Sequence, residues 1–401
     1  MKVIFLTLAR ISSVEKRGNY QDLVRKIRDE GHDIIVVSPA ERKYREGTSL
    51  THEGRASILK VWTPNIQKAN LLEKIIGTMS IEYLYLRAIS RYFPKISLDL
   101  ILYSTPPITL LGLISRLKNK TKAFTYLLLK DIFPQNAIDL RLMSETSLIY
   151  KYFRKREEDL YKISDWIGCM SMANVDYVLR NNKWVAPDKI EINPNSVEIS
   201  DLIPSIKTDD GISQLLVGKI VMVYGGNLGK PQGINFLFEV VTACADIENV
   251  LFLIIGSGTE TQKVVNWIRE SDPPNALFIH EMPNDEYSNL LSLCHVGLIF
   301  LHPDFTIPNY PSRILPYMQN KLPVLCATDS ITDIGSDAED NEYGFHCQSG
   351  DVVKYKKYVR LLAQSEELRD RLGGNGFEYL KMNFNVDYSY KVIMDHFKNG
   401  E

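Results

Sequence analysis

The chain has little of what marks several special classes of protein. It holds five cysteines in 401 residues, and none forms a C-x2-C pair, so neither a disulfide framework nor a zinc site is expected. No run reaches the roughly 18 apolar residues that span a bilayer, and the N-terminus has no signal-peptide pattern. We therefore expect a cytoplasmic globular protein of two or three domains, in which the cysteines are small buried hydrophobes.

Other partner signals are also missing. The seven histidines are dispersed, with no H-E-x-x-H or His/carboxylate cluster, so we predict no metal. The basic clusters are not accompanied by a helix-turn-helix, RNP or zinc-finger pattern, which argues against nucleic acid.

Charge is distributed unequally along the chain. The net charge is −2, but residues 1–200 carry 31 Lys/Arg and 22 Asp/Glu, whereas residues 201–401 carry 16 and 27. Opposed halves predict two domains with different partners, and the first is expected to attract something anionic.

Short apolar runs alternate with amphipathic stretches, which predicts parallel sheets wrapped by helices, an α/β fold. A polar segment, 205–213, interrupts the pattern and is interpreted as a linker. We expect a Rossmann-like domain over 1–204, another over 205–384, and a C-terminal helix in 385–401. The expected strands are 2–8, 33–38, 58–62, 99–103, 122–128, 166–171, 219–224, 250–255, 276–279, 296–301 and 323–326.

The strongest local motif is a strand that runs into Gly225-Gly226-Asn227-Leu228-Gly229-Lys230 and then a helix. Glycines let backbone N–H groups approach phosphate oxygens, so the loop is typical of an anion cradle. It is neither a Walker loop nor G-x-G-x-x-G. A plain tight turn is the alternative.

A second segment has Ser312 and Arg313 at an expected helix start, where a hydroxyl, a guanidinium and backbone N–H groups can share a diphosphate. The alternative is Ser312 as a simple N-cap and Arg313 as a solvated charge. Gly256 and His280 end two further strands, and His280 is a candidate for a base pocket.

In this order the motifs resemble those of the GT-B retaining glycosyltransferases of family 4. The likeness is greatest to bacterial capsule and O-antigen enzymes that transfer an amino sugar such as N-acetyl-L-fucosamine. It is carried by Leu129-Lys130-Asp131-Ile132-Phe133-Pro134, the Tyr224–Gly229 loop and Pro311-Ser312-Arg313. The resemblance implies two Rossmann-like domains facing a central cleft, with the last helix crossing back to the first domain.

The resemblance also implies a UDP-sugar donor on the second domain and, on the first, a lipid-linked acceptor such as a glycan on undecaprenyl diphosphate. The residues that would bind the donor are Gly225, Gly226, Asn227, Lys230, Gly256, His280, Ser312 and Arg313. Asp131 would be catalytic, close to the donor sugar, with Arg313 stabilising the leaving diphosphate. The alternative for Asp131 is an N-cap of a helix that starts at Ile132.

One departure from the family pattern is the loss of its Glu-x7-Glu element. Its positions are Pro308 and Pro316, so the glutamate that grips the ribose is missing, and Asp304, Asn309 or Glu281 are the candidates to replace it. Two rival functions follow: a catalytically silent subunit that binds an acceptor or partner transferase, and a UDP-sugar 2-epimerase. The epimerase is less favoured because no extra ionisable cluster is visible.

The basic half also suggests a peripheral position on the anionic inner face of the cell membrane. Apolar residues recur at helical spacing from Leu72 to Phe93, and they fit either a membrane interface or a helix that packs on the core. A homo-oligomer is a further possible partner. The residues of the predicted face are Leu72, Ile75, Ile76, Met79, Tyr83, Leu86, Ser90 and Phe93.

Overall fold

The computed structural model describes residues 1–66, 71–106, 108–199 and 210–397, without the side chains of 71–76, 78, 79 and 210. The chain divides into two compact units. Unit 1 comprises Met1–Glu198 and Phe384–Glu401, and unit 2 comprises Ile199–Asn383. The predicted domain boundary at 204/205 lies outside the described residues.

Unit 1 contains an eight-stranded sheet, in the order β3-β4-β2-β1-β5-β6-β7-β8. Only β3 is antiparallel to its neighbour. The six strands expected from the sequence are present, whereas β3 and β8 were not predicted. The strands are β1 Lys2–Leu6, β2 Asp33–Glu41, β3 Ser49–Glu53, β4 Ala56–Thr63, β5 Leu100–Ser104, β6 Phe124–Leu129, β7 Trp166–Cys169 and β8 Ile190–Ile192.

Helices cover both faces of this sheet, which explains why its central strands are apolar over most of their length. In β1, Ile4 and Leu6 belong to one apolar cluster, while Val3 and Phe5 belong to the cluster on the opposite face. The helices that precede unit 2 are α1 Asn19–Asp29, α2 Leu71–Tyr92, α3 Leu111–Thr121, α4 Gln135–Asp139, α5 Leu148–Ile163 and α6 Met172–Asn181.

Helix α2 contains the predicted amphipathic segment, and its second half packs on the core. Ile81, Tyr85 and Ile89 are buried there, and Leu86 and Phe93 pack against the same cluster. Tyr83 remains exposed, so the predicted apolar face is divided between core and surface. The side chains of the first half of that face, and Lys68 and Lys74 beside it, lie outside the described residues.

Unit 2 contains a six-stranded, wholly parallel sheet in the order β11-β10-β9-β12-β13-β14. This is a doubly wound arrangement, and the strand order reverses between β9 and β12, where such sheets bind ligands beyond the carboxyl ends. The edge strand β14 was not predicted. The strands are β9 Ile220–Asn227, β10 Val250–Ser257, β11 Ala276–His280, β12 Val296–Phe300, β13 Val324–Thr328 and β14 Gly344–Gln348.

The helices of unit 2 also lie on both sides of its sheet. They are α7 Asp210–Leu216, α8 Ile234–Ala243, α9 Thr261–Ser271, α10 Asn284–Leu291, α11 Ile314–Gln319, α12 Ile334–Asp340, α13 Val352–Gln364 and α14 Glu366–Asn383. All five cysteines of the chain are buried free thiols, as expected.

After α14 the chain returns to unit 1 and forms α15, Val386–Asp395. Val386, Ile393 and Met394 pack into the same cluster as Val3 and Phe5, so α15 covers part of the sheet face that α1 also covers. Burying one such side chain contributes about 1.5–3 kcal/mol. The first strand and the last helix of the chain therefore stabilise one another.

Candidate functional site

The glycine-rich loop of unit 2 lies at the carboxyl edge of the sheet, at the end of β9. Gly225 and Gly226 belong to the last residues of β9, and Gly256 and His280, near the ends of β10 and β11, lie in register with Gly226. Gly226 has φ +119° and Gly256 has φ +151°. A Cβ at Gly256 would lie 1.8 Å from the Gly226 carbonyl oxygen, so only glycine allows these two backbones to meet.

Arg313 lies beside this loop. Its guanidinium carbon is 4.4 Å from the centre of the Tyr224 ring, and its Nη2 is 3.9 Å from where a Cβ of Gly226 would be. Its Nη1 is buried and has no hydrogen-bond partner among the described residues. A buried guanidinium nitrogen without an acceptor is costly, and an anionic ligand would satisfy it.

Two tyrosines hold the loop in place, and the sequence did not indicate either of them. The Tyr317 hydroxyl accepts the Gly225 N–H at 2.9 Å, and the Tyr224 hydroxyl donates to the Asn227 carbonyl at 2.8 Å. Burial raises the pKa of Tyr317 to about 12, so its hydroxyl stays protonated at neutral pH. The one available signal was the spacing of Tyr317 and Arg313, four residues apart at the start of α11.

The other predicted donor residues lie around this centre. Asn227 uses its Nδ2 to donate to Gln232 Oε1 at 3.1 Å, which fixes the loop internally. Lys230 is exposed in the short helical turn that follows, and His280 is exposed with its ring 5.0 Å from that of Phe278. The structure therefore brings Gly225, Gly226, Gly256 and Arg313 together most closely.

Ser312 occupies the turn before α11, and the alternative role given to it was wrong. The N-cap position of α11 is Arg313, without a side-chain capping hydrogen bond. The partial burial of Arg313 over Tyr224 likewise contradicts the alternative of a simple solvated charge.

Pro308 and Pro316 occupy the positions of the missing carboxylates, and the proposed replacements differ in their surroundings. Glu281 accepts a hydrogen bond from Ser257 at the carboxyl edges of β10 and β11. Asn309 donates its backbone N–H to Thr332 at 3.1 Å. Glu281 is therefore a carboxylate at the same sheet edge as the glycine loop.

In unit 1, Asp131 follows the carboxyl end of β6. Its two carboxylate oxygens accept hydrogen bonds from Asn136 Nδ2 at 3.2 and 3.3 Å. Burial raises the pKa of Asp131 to about 6, and the bond from Asn136 opposes that rise. The alternative role as an N-cap was wrong, because α4 starts at Gln135 with Pro134 at its N-cap position.

A polar network behind Asp131 was also not predicted. Lys130 Nζ donates to the Asn193 backbone carbonyl at 2.8 Å, and burial lowers the pKa of Lys130 to about 7. The Asn193 side chain donates to the Tyr126 hydroxyl at 3.0 Å and accepts from Ser389 of α15 at 2.6 Å. Lys130 and Asn193 are 63 residues apart, so no local pattern could have joined them.

Within the described ranges, no three His, Cys, Asp or Glu side chains are grouped so as to hold a metal ion, and metal independence stays a prediction. None of the helices described here combines the length and apolar character that crossing a membrane requires.

The sequence is similar to those of known glycosyltransferases. Residues 205–379 match the sequence family Glycosyl transferases group 1. The chain is 22% identical over 288 residues to the probable glycosyltransferase WbjE of Pseudomonas aeruginosa, a match that spans 71% of each protein.

The fold of the chain is similar to those of solved structures over nearly its whole length. Sucrose-phosphate synthase from Thermosynechococcus elongatus has a TM-score of 0.75 at 15% identity, with 99% of this chain and 98% of that chain covered. Anabaena HepE in complex with UDP has a TM-score of 0.69 at 15% identity, with 99% of both chains covered.

The two parallel sheets and these likenesses define a GT-B fold. The match of residues 205–379 to the Glycosyl transferases group 1 family, the relative in Pseudomonas aeruginosa and the structural neighbours together indicate a glycosyltransferase.

Proposed function

We propose that the protein transfers a sugar from a UDP-sugar to a lipid-linked glycan, as a retaining enzyme of family 4. The sugar we favour is an N-acetylated amino sugar such as N-acetyl-fucosamine, and the acceptor class is a glycan on undecaprenyl diphosphate in capsule or O-antigen synthesis. The observation that carries the proposal is the unsatisfied Nη1 of Arg313 beside Gly226, in the part of the chain that the structure describes.

A nucleoside diphosphate fits this observation chemically. Its phosphate oxygens would accept hydrogen bonds from the guanidinium and from backbone N–H groups of the glycine loop, and both interactions are strong because one partner is charged. HepE, which shares the fold, was solved with UDP. That likeness supports UDP as the nucleotide.

Arg313 would stabilise the charge that develops on the departing UDP, and Ser312 and Lys230 would assist it. Such stabilisation by groups already in place is the largest contribution of many enzymes. With its pKa raised to about 6, Asp131 is mostly ionised at neutral pH, so we assign it to orienting the sugar or stabilising positive charge at its anomeric carbon. The acceptor proton would pass to the leaving phosphate on the same face, without a metal.

The basic surplus of the first half supports an anionic, membrane-bound acceptor at the cytoplasmic face. Each basic residue near anionic lipid contributes about 1 kcal/mol. The protein would then be peripheral, held at the inner surface by charge and by exposed apolar side chains.

Nucleotide binding and UDP release test the proposal together. UDP and UDP-N-acetyl sugars should raise the melting temperature more than GDP or ADP, since a ligand at 100 times its Kd adds about 2.7 kcal/mol to the folded state. Arg313→Ala should abolish both the shift and the slow UDP release that occurs without acceptor. The matched control is Arg269→Ala, because Arg269 is exposed on α9 of the same unit.

A second candidate is a silent subunit, favoured by Pro308 and Pro316. It predicts a folded protein that binds no nucleotide and releases no UDP from any donor. Selective stabilisation by UDP with measurable UDP release would exclude it, and the absence of both in a folded sample would exclude the transferase.

A further inference from the structure

The first two turns of α5 expose apolar side chains to solvent. Leu148 is 83% exposed, Ile149 60% and Tyr152 46%. Positions 148, 149 and 152 share one face of a helix. Leu142 in the preceding loop is also exposed, at 62%. Four large apolar side chains exposed within eleven residues mark a surface that meets something other than water.

The other side of α5 is firmly packed. Phe153 meets the Phe133 ring edge-on at 5.1 Å, and Leu160 and Tyr161 are fully buried in the sheet's apolar cluster. The helix start is capped, because Ser147 Oγ accepts the Tyr150 N–H at 3.1 Å. The exposed apolar face is thus presented by an anchored helix.

Basic side chains lie among these apolar ones. Residues 141–156 contain five Arg or Lys and a single Glu. Lys151 and Lys155 are exposed, and Arg156 donates to the Tyr152 hydroxyl at 3.2 Å with its guanidinium 5.3 Å from the ring. Lys155 also pairs with Asp159 at 3.0 Å, an exposed pair of little strength.

We propose that Leu148, Ile149, Lys151, Tyr152 and Lys155, the α5 face, dock on the surface of an anionic lipid bilayer. The aliphatic side chains would enter the boundary between headgroups and acyl chains, while the lysines extend their ammonium groups to the lipid phosphates. Tyrosine suits this depth because its ring is apolar and its hydroxyl is polar.

A hydrogen bond connects helix α5 to helix α4, which begins shortly after Asp131. Tyr150, in the first turn of α5, donates from its hydroxyl to Gln135 Oε1 at 3.4 Å, and Gln135 opens α4, four residues after Asp131. An acceptor held by a lipid carrier would reach unit 1 beside a candidate catalytic residue. This last consequence rests on the proposed function, whereas docking on lipid does not.

Vesicle co-sedimentation of the full-length protein tests the docking. Vesicles of phosphatidylcholine with about one third phosphatidylglycerol should bind the wild type, and pure phosphatidylcholine should bind it weakly. Leu148→Ser with Ile149→Ser should weaken binding at least about tenfold, because two aliphatic side chains lose their apolar contact. Lys151→Glu should weaken binding to the anionic vesicles alone.

Val353→Ser is the matched control. Val353 is 78% exposed in the first turn of α13, among lysines but without apolar neighbours of similar exposure in that turn. Tyr83→Ser is the control for α2. Both variants should bind vesicles as the wild type does, and all variants should melt within a few degrees of it.

Four results would overturn the proposal: no binding of the wild type to anionic vesicles, equal binding of the Leu148/Ile149 variant, equal loss in a control variant, or dissociation of a wild-type oligomer by the Leu148/Ile149 variant in the absence of lipid. The last result would make the face a contact between copies of the chain. UDP release measured without vesicles tests the transferase separately, so the two proposals fail independently.

Discussion

Ser389 on the last helix donates a 2.6 Å hydrogen bond to the side-chain oxygen of Asn193, and the two residues are separated by 196 positions in the chain. Both are almost completely buried. The Asn193 backbone carbonyl in turn accepts from Lys130, the neighbour of Asp131. Helix α15 is thus linked, through Asn193, to the residue that precedes the candidate catalytic carboxylate.

Ser389→Ala should lower the free energy of unfolding by about 1–3 kcal/mol, because it leaves the Asn193 oxygen buried without its donor. Chemical denaturation at pH 7 measures the loss. Ser336→Ala is the control, since the Ser336 hydroxyl bonds a backbone carbonyl at the surface, and its cost should stay below about 0.5 kcal/mol. Equal small effects in both variants would show that the buried bond contributes nothing.

The acid limb of the pH–rate profile should report Asp131. Its pKa is raised to about 6 by burial and held down in part by the hydrogen bonds from Asn136. Asn136→Ala removes those bonds, so the carboxylate is less favoured and the limb should move to higher pH by about half a unit to one unit. The measurement is the rate of UDP release between about pH 5 and pH 8, a range that includes the raised pKa of Asp131.

Gln135→Ala provides the comparison for that experiment, because Gln135 donates its amide to Asp139 at 3.0 Å. Its limb should stay where the wild type has it. If the acid limb does not move in Asn136→Ala, the pH dependence of the rate does not come from Asp131.

Asp131→Asn should stabilise the fold while it removes activity. The folded pKa, about 6, lies above the unfolded value of 3.8, so ionising Asp131 costs the folded state free energy. That cost is absent below roughly pH 4, grows between there and pH 6, and is complete above. We expect a gain of about 1–3 kcal/mol at pH 7 that disappears near pH 4. A gain independent of pH would contradict this origin.

Gly256→Ala should disrupt the glycine loop at which we propose that UDP binds. The added Cβ would lie 1.8 Å from the Gly226 carbonyl oxygen, and φ at Gly256 is +151°, so the two strand ends would be forced apart. We expect more than about 2 kcal/mol of destabilisation and loss of the thermal shift with UDP. Denaturation and nucleotide titration measure the two effects.

Gly374→Ala is the matched glycine control. Gly374 lies inside α14, and no described atom outside its own helix and neighbours comes within 4 Å of an added Cβ. Alanine there should be neutral or stabilise the protein by up to about 1 kcal/mol. Destabilisation of both variants to the same degree would mean that the close approach of Gly256 to Gly226 is not the cause of the loss.

The sequence predicted most of the sheets, because central parallel strands are covered on both faces and form nearly continuous apolar runs in the sequence. The strands β3, β8 and β14 were not predicted, because they lie at sheet edges and are not covered in the same way. Ser49–Glu53 is a polar edge strand, and Gly344–Gln348 is apolar at only two of its five positions. An edge strand needs less apolar surface, so its pattern resembles that of a loop.

The residues of the candidate site also fall into two groups, those with a local sequence pattern and those whose role depends on distant partners. Gly226 and Arg313 were found because glycine loops and helix starts have local patterns. Tyr317 was not found, since its partner Gly225 lies 92 residues away, and in the sequence a core tyrosine looks the same as one that holds a glycine loop. The raised pKa of Asp131 likewise depends on burial that only the folded chain provides.

Unit 1 is interrupted in the chain by the whole of unit 2. Synthesis on the ribosome proceeds from the N-terminus, so strands β1 and β5 emerge long before the helix that covers Val3, Phe5 and Leu102. In a nascent chain that apolar surface is therefore covered only in part, by α1, while unit 2 is made. A polypeptide that ends before α15 therefore has an incomplete unit 1. Chaperones and proteases would recognise such a product through the apolar face that Ile393 and Met394 would have covered.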